Sequence, residues 1–265
     1  MVEPRGDRLI EARAAFVSDF HLGAAACNAT AILDFLARLR CEKLYLIGDI
    51  IDGYVANREG KWTQEHSNVL RAILTQTRHG TQVYYLPGNH DSFLRRVTGI
   101  ELGNILIQDQ IIHETVGGQK VMVIHGDQFD SSVNKSTVLP LLGTLIHEKV
   151  TVWQRTANEK RNLSNRPPHD LPRRLKKMVK RITQKMASYE ETLTEFAAEK
   201  GCSAVVCGHI HAPALKLAEN GVYYINTGDW TDHCTFVLED DAGNLRIMQY
   251  SDTLNGANPP AVTTP

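Results

Sequence analysis

The chain has no cysteine pair at the spacing of a metal finger. Its five cysteines, Cys27, Cys41, Cys202, Cys207 and Cys234, are odd in number and never stand as C-x-x-C. That fits neither a disulfide framework nor a structural zinc site, and points to reduced, structural thiols. Long apolar runs are missing as well. The longest nearly apolar stretch, Val138 to Ile146, is far short of the roughly 20 residues that a spanning helix needs. The N-terminal residues mix Glu3, Arg5, Asp7 and Arg8 and lack an apolar core of the secretory kind, so the chain is expected to stay in the cytoplasm. There is no internal repeat and no low-complexity tract. What remains is 265 residues with 42% hydrophobic and 22% charged side chains, enough to bury a large core and unlike a disordered chain.

The formal net charge is only −1, but the charges are unevenly spread. Residues 155–185 hold eleven basic side chains against two acidic ones, net +9, while the remainder is net −10. A basic block in an otherwise acidic protein suits an anionic partner, although a solvated helix face is the commoner reason for such a run. Aromatic side chains are sparse in the block, so no nucleic-acid surface is expected.

Short apolar runs read as strands at Ala14–Val17, Leu44–Ile47, Val83–Leu86, Gln119–Ile124, Ala204–Cys207, Val222–Ile225 and Thr235–Leu238. Helical spacing appears between them at Ile32, Leu33, Leu36 and Leu39, and again at Val69, Leu70, Ile73 and Leu74. The alternation predicts an α/β layered fold made of a single domain, 1–265, interrupted by a helical insertion over about 132–200. Inside the insertion, Pro167, Pro168 and Pro172 precede an apolar stripe running from Leu171 through Leu175, Met178, Ile182, Met186 and Leu193 to Ala197. Pro172 suits a helix start and Gly201 a stop, so one long amphipathic helix is predicted.

Polar clusters follow five of the strands: Ser18-Asp19-Phe20-His21, Gly48-Asp49-Ile50-Ile51-Asp52, Gly88-Asn89-His90-Asp91, His125-Gly126-Asp127 and Gly208-His209-Ile210-His211. Side chains two apart on an extended chain point the same way, so Asp19 can converge with His21, and His209 with His211. The glycines allow sharp exits from the sheet, and open α/β sheets place their sites at the carboxyl ends of strands. One such cluster is weak evidence, whereas five in order are strong. The set offers nitrogen and oxygen ligands without thiolate, which suits manganese, iron, cobalt or zinc in open geometry. Asp52 and Asp127 are read as supporting acceptors or helix starts rather than ligands.

These motifs, in this order over residues 14–229, closely resemble the calcineurin-like metallophosphoesterase superfamily. The resemblance implies a four-layer αββα sandwich of two mixed β-sheets with a helical cap insertion, and two divalent transition-metal ions, most readily Mn(2+), with Fe, Co or Zn as alternatives. It implies Asp19, His21 and His211 at one ion, Asn89, His125 and His209 at the other, and Asp49 bridging both. His90 and Asp91 are the candidates for the reaction itself, His90 acting on a phosphoryl or leaving oxygen and Asp91 orienting its ring. Asn89, Arg95 and Arg96 are candidate substrate contacts, an arginine fork matching phosphate geometry.

Beyond the metal signature, Leu22-Gly23, Gly53, Pro87, Gln128-Phe129-Asp130 and Asn226-Thr227-Gly228-Asp229-Trp230 are most similar to the UDP-2,3-diacylglucosamine diphosphatase family and its relatives. That resemblance implies cleavage of a glycolipid diphosphate to lipid X and UMP in lipid A biosynthesis, with peripheral contact to an anionic membrane through the basic block. Trp62 and Trp153 are candidates to line an apolar cleft. His90 stands where that family carries arginine, so another phosphoanhydride or a phosphodiester is kept as the alternative substrate. A non-catalytic scaffold is disfavoured, because all seven ligand positions carry metal-competent side chains.

Overall fold

The structure is a computed structural model and describes residues 9–54, 62–130 and 173–255, with 173–182 described as backbone. Contacts divide the chain into two compact units, Met1–Asp127 with Leu193–Pro265, and Gln128–Thr192. Trp153, the proline cluster, the first part of the expected insertion and most of the basic block lie outside the described residues.

The first sheet has seven strands: β1 (Ile10–Val17), β2 (Leu39–Ile47), β3 (Gln82–Leu86), β4 (Glu101–Leu102), β5 (Ile105–Ile107), β11 (Thr235–Glu239) and β12 (Leu245–Gln249), in the order β12-β11-β1-β2-β3-β5-β4. The second has five: β6 (Gln110–Glu114), β7 (Lys120–Ile124), β8 (Ala204–Cys207), β9 (Ala214–Leu217) and β10 (Tyr223–Asn226), in the order β6-β7-β8-β10-β9. Strands β1, β2, β3 and β5 are parallel, as are β7, β8 and β10, and antiparallel strands close the edges of both sheets. Helices α1 (Ala29–Arg38), α2 (Gln64–Arg78), α3 (Arg173–Glu199) and α4 (Tyr250–Asn255) and the 3-10 turns Ser92–Val97 and Asp127–Phe129 accompany the sheets among the described residues.

The central strands are apolar at successive positions because both of their faces are covered. Ala14, Phe16, Tyr45, Ile47 and Leu86 pack with Val121, Val123, Val206 and Ile225 of the second sheet. Their neighbours Ala15, Val17, Leu44, Leu46 and Val83 pack with Ile32, Phe35 and Leu36 of α1 and with Val69 and Ile73 of α2. Each such side chain, fully buried, contributes roughly 1.5–3 kcal/mol. One polar chain crosses the interior: the Tyr45 hydroxyl lies 2.9 Å from His113 Nδ1, and His113 Nε2 lies 2.8 Å from Glu239. All three are buried and hydrogen-bonded, which removes the penalty of burying them.

Local signals set the helix ends. Asn28 caps α1 by accepting from the Ala31 amide at 3.2 Å, and Thr63 and His66 form a reciprocal cap on α2. Helix α3 ends at Glu199, and Gly201 takes the left-handed turn (φ 71°) that returns the chain to β8. Leu193 and Ala197 of its apolar stripe are fully buried.

Several boundaries differ from expectation. Strand β1 starts at Ile10, and β2 starts at Leu39, where the helical pattern was expected to end. Arg40, Cys41, Glu42 and Lys43 are polar or half-exposed at the rim of the sheet, which hides the strand from an apolar-run reading. Strands β4, β6, β9 and β12 are short or at sheet edges, with mixed polarity, and β5 is apolar but only three residues long, so these escaped it too.

Candidate metal centre

Parallel pairing brings the carboxyl ends of β1, β2 and β3 to one edge, and those of β7 and β8 to another. The turns that follow are knitted together across the two sheets. The His125 ring nitrogen Nδ1 lies 2.8 Å from the Ile47 carbonyl and must therefore donate to it, while the His209 amide donates to Asp19 Oδ2 at 3.2 Å. The Asp19 and His21 amides donate to the carbonyls of Gly48 and Asp49 at 3.1 and 2.9 Å.

Among the described residues, six non-glycine positions have positive φ, and five of them are Asp19, His21, Asp49, His209 and His211. Left-handed backbone is uncommon outside glycine and costs on the order of 1–3 kcal/mol at each such residue. The surrounding hydrogen bonds hold it, and the result aims these side chains inward.

Three triads then have ligand atoms within 4.8 Å of one another: Asp19, His21 and His211; Asp49, His125 and His209; and His21, Asp49 and His90. His211 Nε2 is 3.1 Å from Asp19 Oδ1 and 3.2 Å from His21 Nε2. His125 Nε2 is 3.5 Å from Asp49 Oδ2. Asp49 thus belongs to two of the triads, with Asn89 buried in the adjoining turn. His90 keeps a partly exposed ring, its Nε2 4.0 Å from Asp49 and its backbone amide donating to Asp49 Oδ1 at 2.7 Å.

The supporting contacts differ from expectation in three places. Asp91 does not orient His90. Its carboxylate accepts from the amides of Gly88 (2.6 Å), Ile50 (3.0 Å), Asp49 (3.3 Å) and Ile51 (3.4 Å) and from the Tyr85 hydroxyl (2.6 Å), tying two site loops together. The carboxylate beside the His90 ring is Asp52, 3.0 Å from Nδ1 and also 3.3 Å from His21 Nδ1. Arg95 is engaged by Asp127 at 2.7 Å and by the Pro87 carbonyl at 3.1 Å, so it braces the Gly88–Asp91 turn, while Arg96 is exposed on the 3-10 turn Ser92–Val97. Trp62 lines a cavity of about 540 Å³ with Ala24, Ala25, Cys27, Asn28 and His66. Asp229, at the end of β10, was not singled out as a site residue. It sits 3.7 Å from His211 Nδ1, and its position at a strand's carboxyl end was the available signal.

The electrostatics follow from packing charges into a dry site. Burial would raise the Asp19 and Asp49 carboxyls, but the facing imidazoles outweigh it: Asp49 falls to about 2 and Asp19 lies well below the usual range. Burial would lower the imidazoles, yet the carboxylates overcome it and lift His21 to about 9 and His125 and His211 to about 10. Burial, then the charge of Asp49, holds the Asp91 carboxyl above its ordinary value despite its donors.

The donor set fits divalent cations. Asp19 Oδ1, Asn89 Oδ1 and His125 Nε2 are buried and make no hydrogen bond. A Cβ on Gly88 would fall on the Asp49 carboxylate and 2.6 Å from His125 Nε2, so the turn leaves room for ligand atoms alone. Nitrogen and oxygen donors with no thiolate suit first-row divalent ions.

This cluster, on two mixed sheets with flanking helices, is matched by the calcineurin-like phosphoesterase family model over residues 12–213, and the chain belongs to that family of metal-dependent hydrolases. Among individual relatives, it is 29% identical over 243 residues to a UDP-2,3-diacylglucosamine hydrolase of Pseudomonas paraeruginosa, covering 87% of this chain and 96% of the relative. It is 24% identical to the enzyme of the same name from Aliivibrio fischeri, over 90% and 95% of the two chains. A dimetal phosphatase from Danio rerio is similar at a TM-score of 0.45 and 12% identity, covering 89% of this chain and 95% of that one.

Proposed function

We propose that the protein hydrolyses the diphosphate bond of UDP-2,3-diacylglucosamine, adding water to give UMP and the 1-phosphate of the diacylated glucosamine. The observation that carries the reading is a run of three linked His/Asp triads at the carboxyl ends of strands from both sheets, His21 joining Asp19 and His211 to Asp49, and Asp49 joining these to His125 and His209. Its substrate rests on the relatives of that name, which this chain covers at 94–97% of their length.

On this reading Asp19, His21 and His211 hold one divalent ion, and Asn89, His125 and His209 hold a second, with Asp49 shared; manganese is the proposed metal. The ions supply Lewis acidity and positive charge for the attack of water on phosphorus. The protein's own contribution is to orient and to handle protons. Asp52, 3.0 Å from Nδ1, orients the His90 ring, and Nε2, 4.0 Å from Asp49, is assigned to donate a proton to the departing oxygen. Asp91 and Arg95 keep the turn that carries Asn89 and His90 in register with Asp49. The basic block is assigned to the anionic headgroup and the membrane face that presents it; no described helix is long and apolar enough to cross a membrane.

Phosphorus NMR of products from a panel of UDP-linked glycolipids, nucleotides and phosphodiesters tests the proposal. UMP appearing with the glycolipid monophosphate is the expected result. Turnover of diesters or other anhydrides with the glycolipid untouched would replace the substrate and keep the metal chemistry.

A further inference from the structure

The imidazoles of the cluster are backed at Nδ1 in different ways. His125 donates to the Ile47 carbonyl at 2.8 Å, and His21 lies 3.3 Å from Asp52. His211 Nδ1 is buried, makes no hydrogen bond, and faces Asp229 Oδ2 at 3.7 Å. Asp229 is fully buried and divides its two oxygens cleanly. Oδ1 accepts the amides of Asp232 (2.6 Å), Thr231 (2.9 Å) and His233 (3.1 Å) and the Thr231 hydroxyl (3.0 Å). Oδ2 turns toward imidazoles, 2.7 Å from His233 Nδ1 on the outer side and toward His211 on the inner side.

We propose that Asp229 is the positioning residue of the His211 ligand: Oδ2 accepts a hydrogen bond from the Nδ1–H of His211, keeping the ring proton there, and so leaves Nε2, the atom facing Asp19 and His21, with a free lone pair for a divalent ion. The inference rests on the reading that Asp19, His21 and His211 hold such an ion. Its physical basis is that a neutral imidazole carries one ring proton, and a carboxylate opposite Nδ1 decides which nitrogen keeps it while making the other a better donor. The backbone amides on Oδ1 hold the carboxylate in place, so the ring is aimed before the ion arrives. His233 shares Oδ2 from the outside.

The substitution Asp229→Asn probes this role, because Oδ1 and its amides are kept and only Oδ2, the atom facing His211 and His233, changes from acceptor to donor, while His233 lies on the outer side away from the ion ligands. An amide NH₂ there favours the tautomer with the proton on Nε2, which cannot ligate. By calorimetric titration of the metal-free protein with Mn²⁺, one of the two sites should weaken by about 10–100-fold, the usual cost of removing such an outer partner. The visible spectrum of the Co²⁺-loaded variant should change, and cooperative unfolding of the metal-free variant should persist. Unchanged affinity at both sites together with an unchanged Co²⁺ spectrum would overturn the proposal. If the variant does not fold, ¹⁵N-histidine NMR of the wild-type Zn²⁺ form decides instead: His211 must carry its proton on Nδ1 in a hydrogen bond, and a bare Nδ1 overturns the assignment. A wild-type protein that binds no ion at all removes the dinuclear reading, and the role of Asp229 with it.

Discussion

Gly88 and Asp49 stand so close that no side chain fits between the Gly88 backbone and the Asp49 carboxylate. Any substituent there must push Asp49 away from His125, because the Gly88 turn is itself pinned by Asp91. Gly88→Ala should therefore fold and bind fewer than two ions per chain, as Asp49→Ala should. Its turnover should fall on the order of 10²-fold, the scale of a misplacement of about 1 Å. Elemental analysis of the purified variant checks this, and full metal content with full turnover would refute it.

His90 and Asp52 should separate proton handling from metal binding. His90→Ala is expected to lower kcat by about 10²–10⁴-fold, the range for losing a general acid or base, with metal content unchanged. Asp52→Asn should lower kcat less, since the ring remains but is no longer fixed from Nδ1. Because His90 also forms a triad with His21 and Asp49, loss of an ion from His90→Ala would make it a ligand and defeat the assignment.

The metal-free protein should show a distinctive stability profile. His21, His125 and His211 are raised from 6.5 to about 9, 10 and 10, so their stabilising contribution is whole below pH 6.5 and is lost as pH climbs through 9 to 10. Asp49 is lowered from 3.8 to about 2, so its contribution is whole above pH 3.8 and is lost as pH falls through 2. Unfolding midpoints of chelated protein should peak between those limits, near pH 4–6.5, and decline on the alkaline side. A flat profile up to pH 10 would contradict it. Ion loading at neutral pH should also release protons, visible as a buffer-dependent heat of binding.

The basic block should matter for a lipid substrate and not for a small one. Each lysine or arginine near an anionic surface contributes about 1 kcal/mol, so replacing Arg173, Arg174, Lys176 and Lys177 together with glutamine should weaken co-sedimentation with anionic vesicles. The KM for glycolipid should rise while hydrolysis of a soluble diester stays near wild type, because the ligand side chains are untouched. Equal loss of both activities would assign the block to folding.

Much of the candidate centre was legible because chemistry-bearing residues follow apolar strands in a fixed order. Asp19 to His21, Asp49, Asn89, His125 and His209 to His211 all sit where a short buried strand ends, and pairing among parallel strands does the rest. What stayed hidden depends on direction rather than order. Asp91 is the sequence neighbour of His90 and Asp52 is not, and only the path of the turns shows that Asp91 faces backbone amides and Asp52 faces the ring. Arg95 looked like a phosphate contact because a guanidinium suits one, but Asp127, two residues past His125, reaches it first. Asp229 lacked a neighbouring histidine in the strand-end pattern, and its closeness to His211 arises only from the pairing of β10 with β8.

The placement of β1 between β2 and β11 bears on how the chain is made. Ala14 pairs with Glu239, 225 residues further along, so one side of an apolar strand stays open until the segment carrying Glu239 has left the ribosome. Domains emerge at about 5–20 residues per second, and unpaired strand edges invite association in that interval. The nascent protein therefore passes through a stage in which Asp19, His21 and Asp49 exist without His209 and His211, and ion capture can complete only after the last strands have threaded into place.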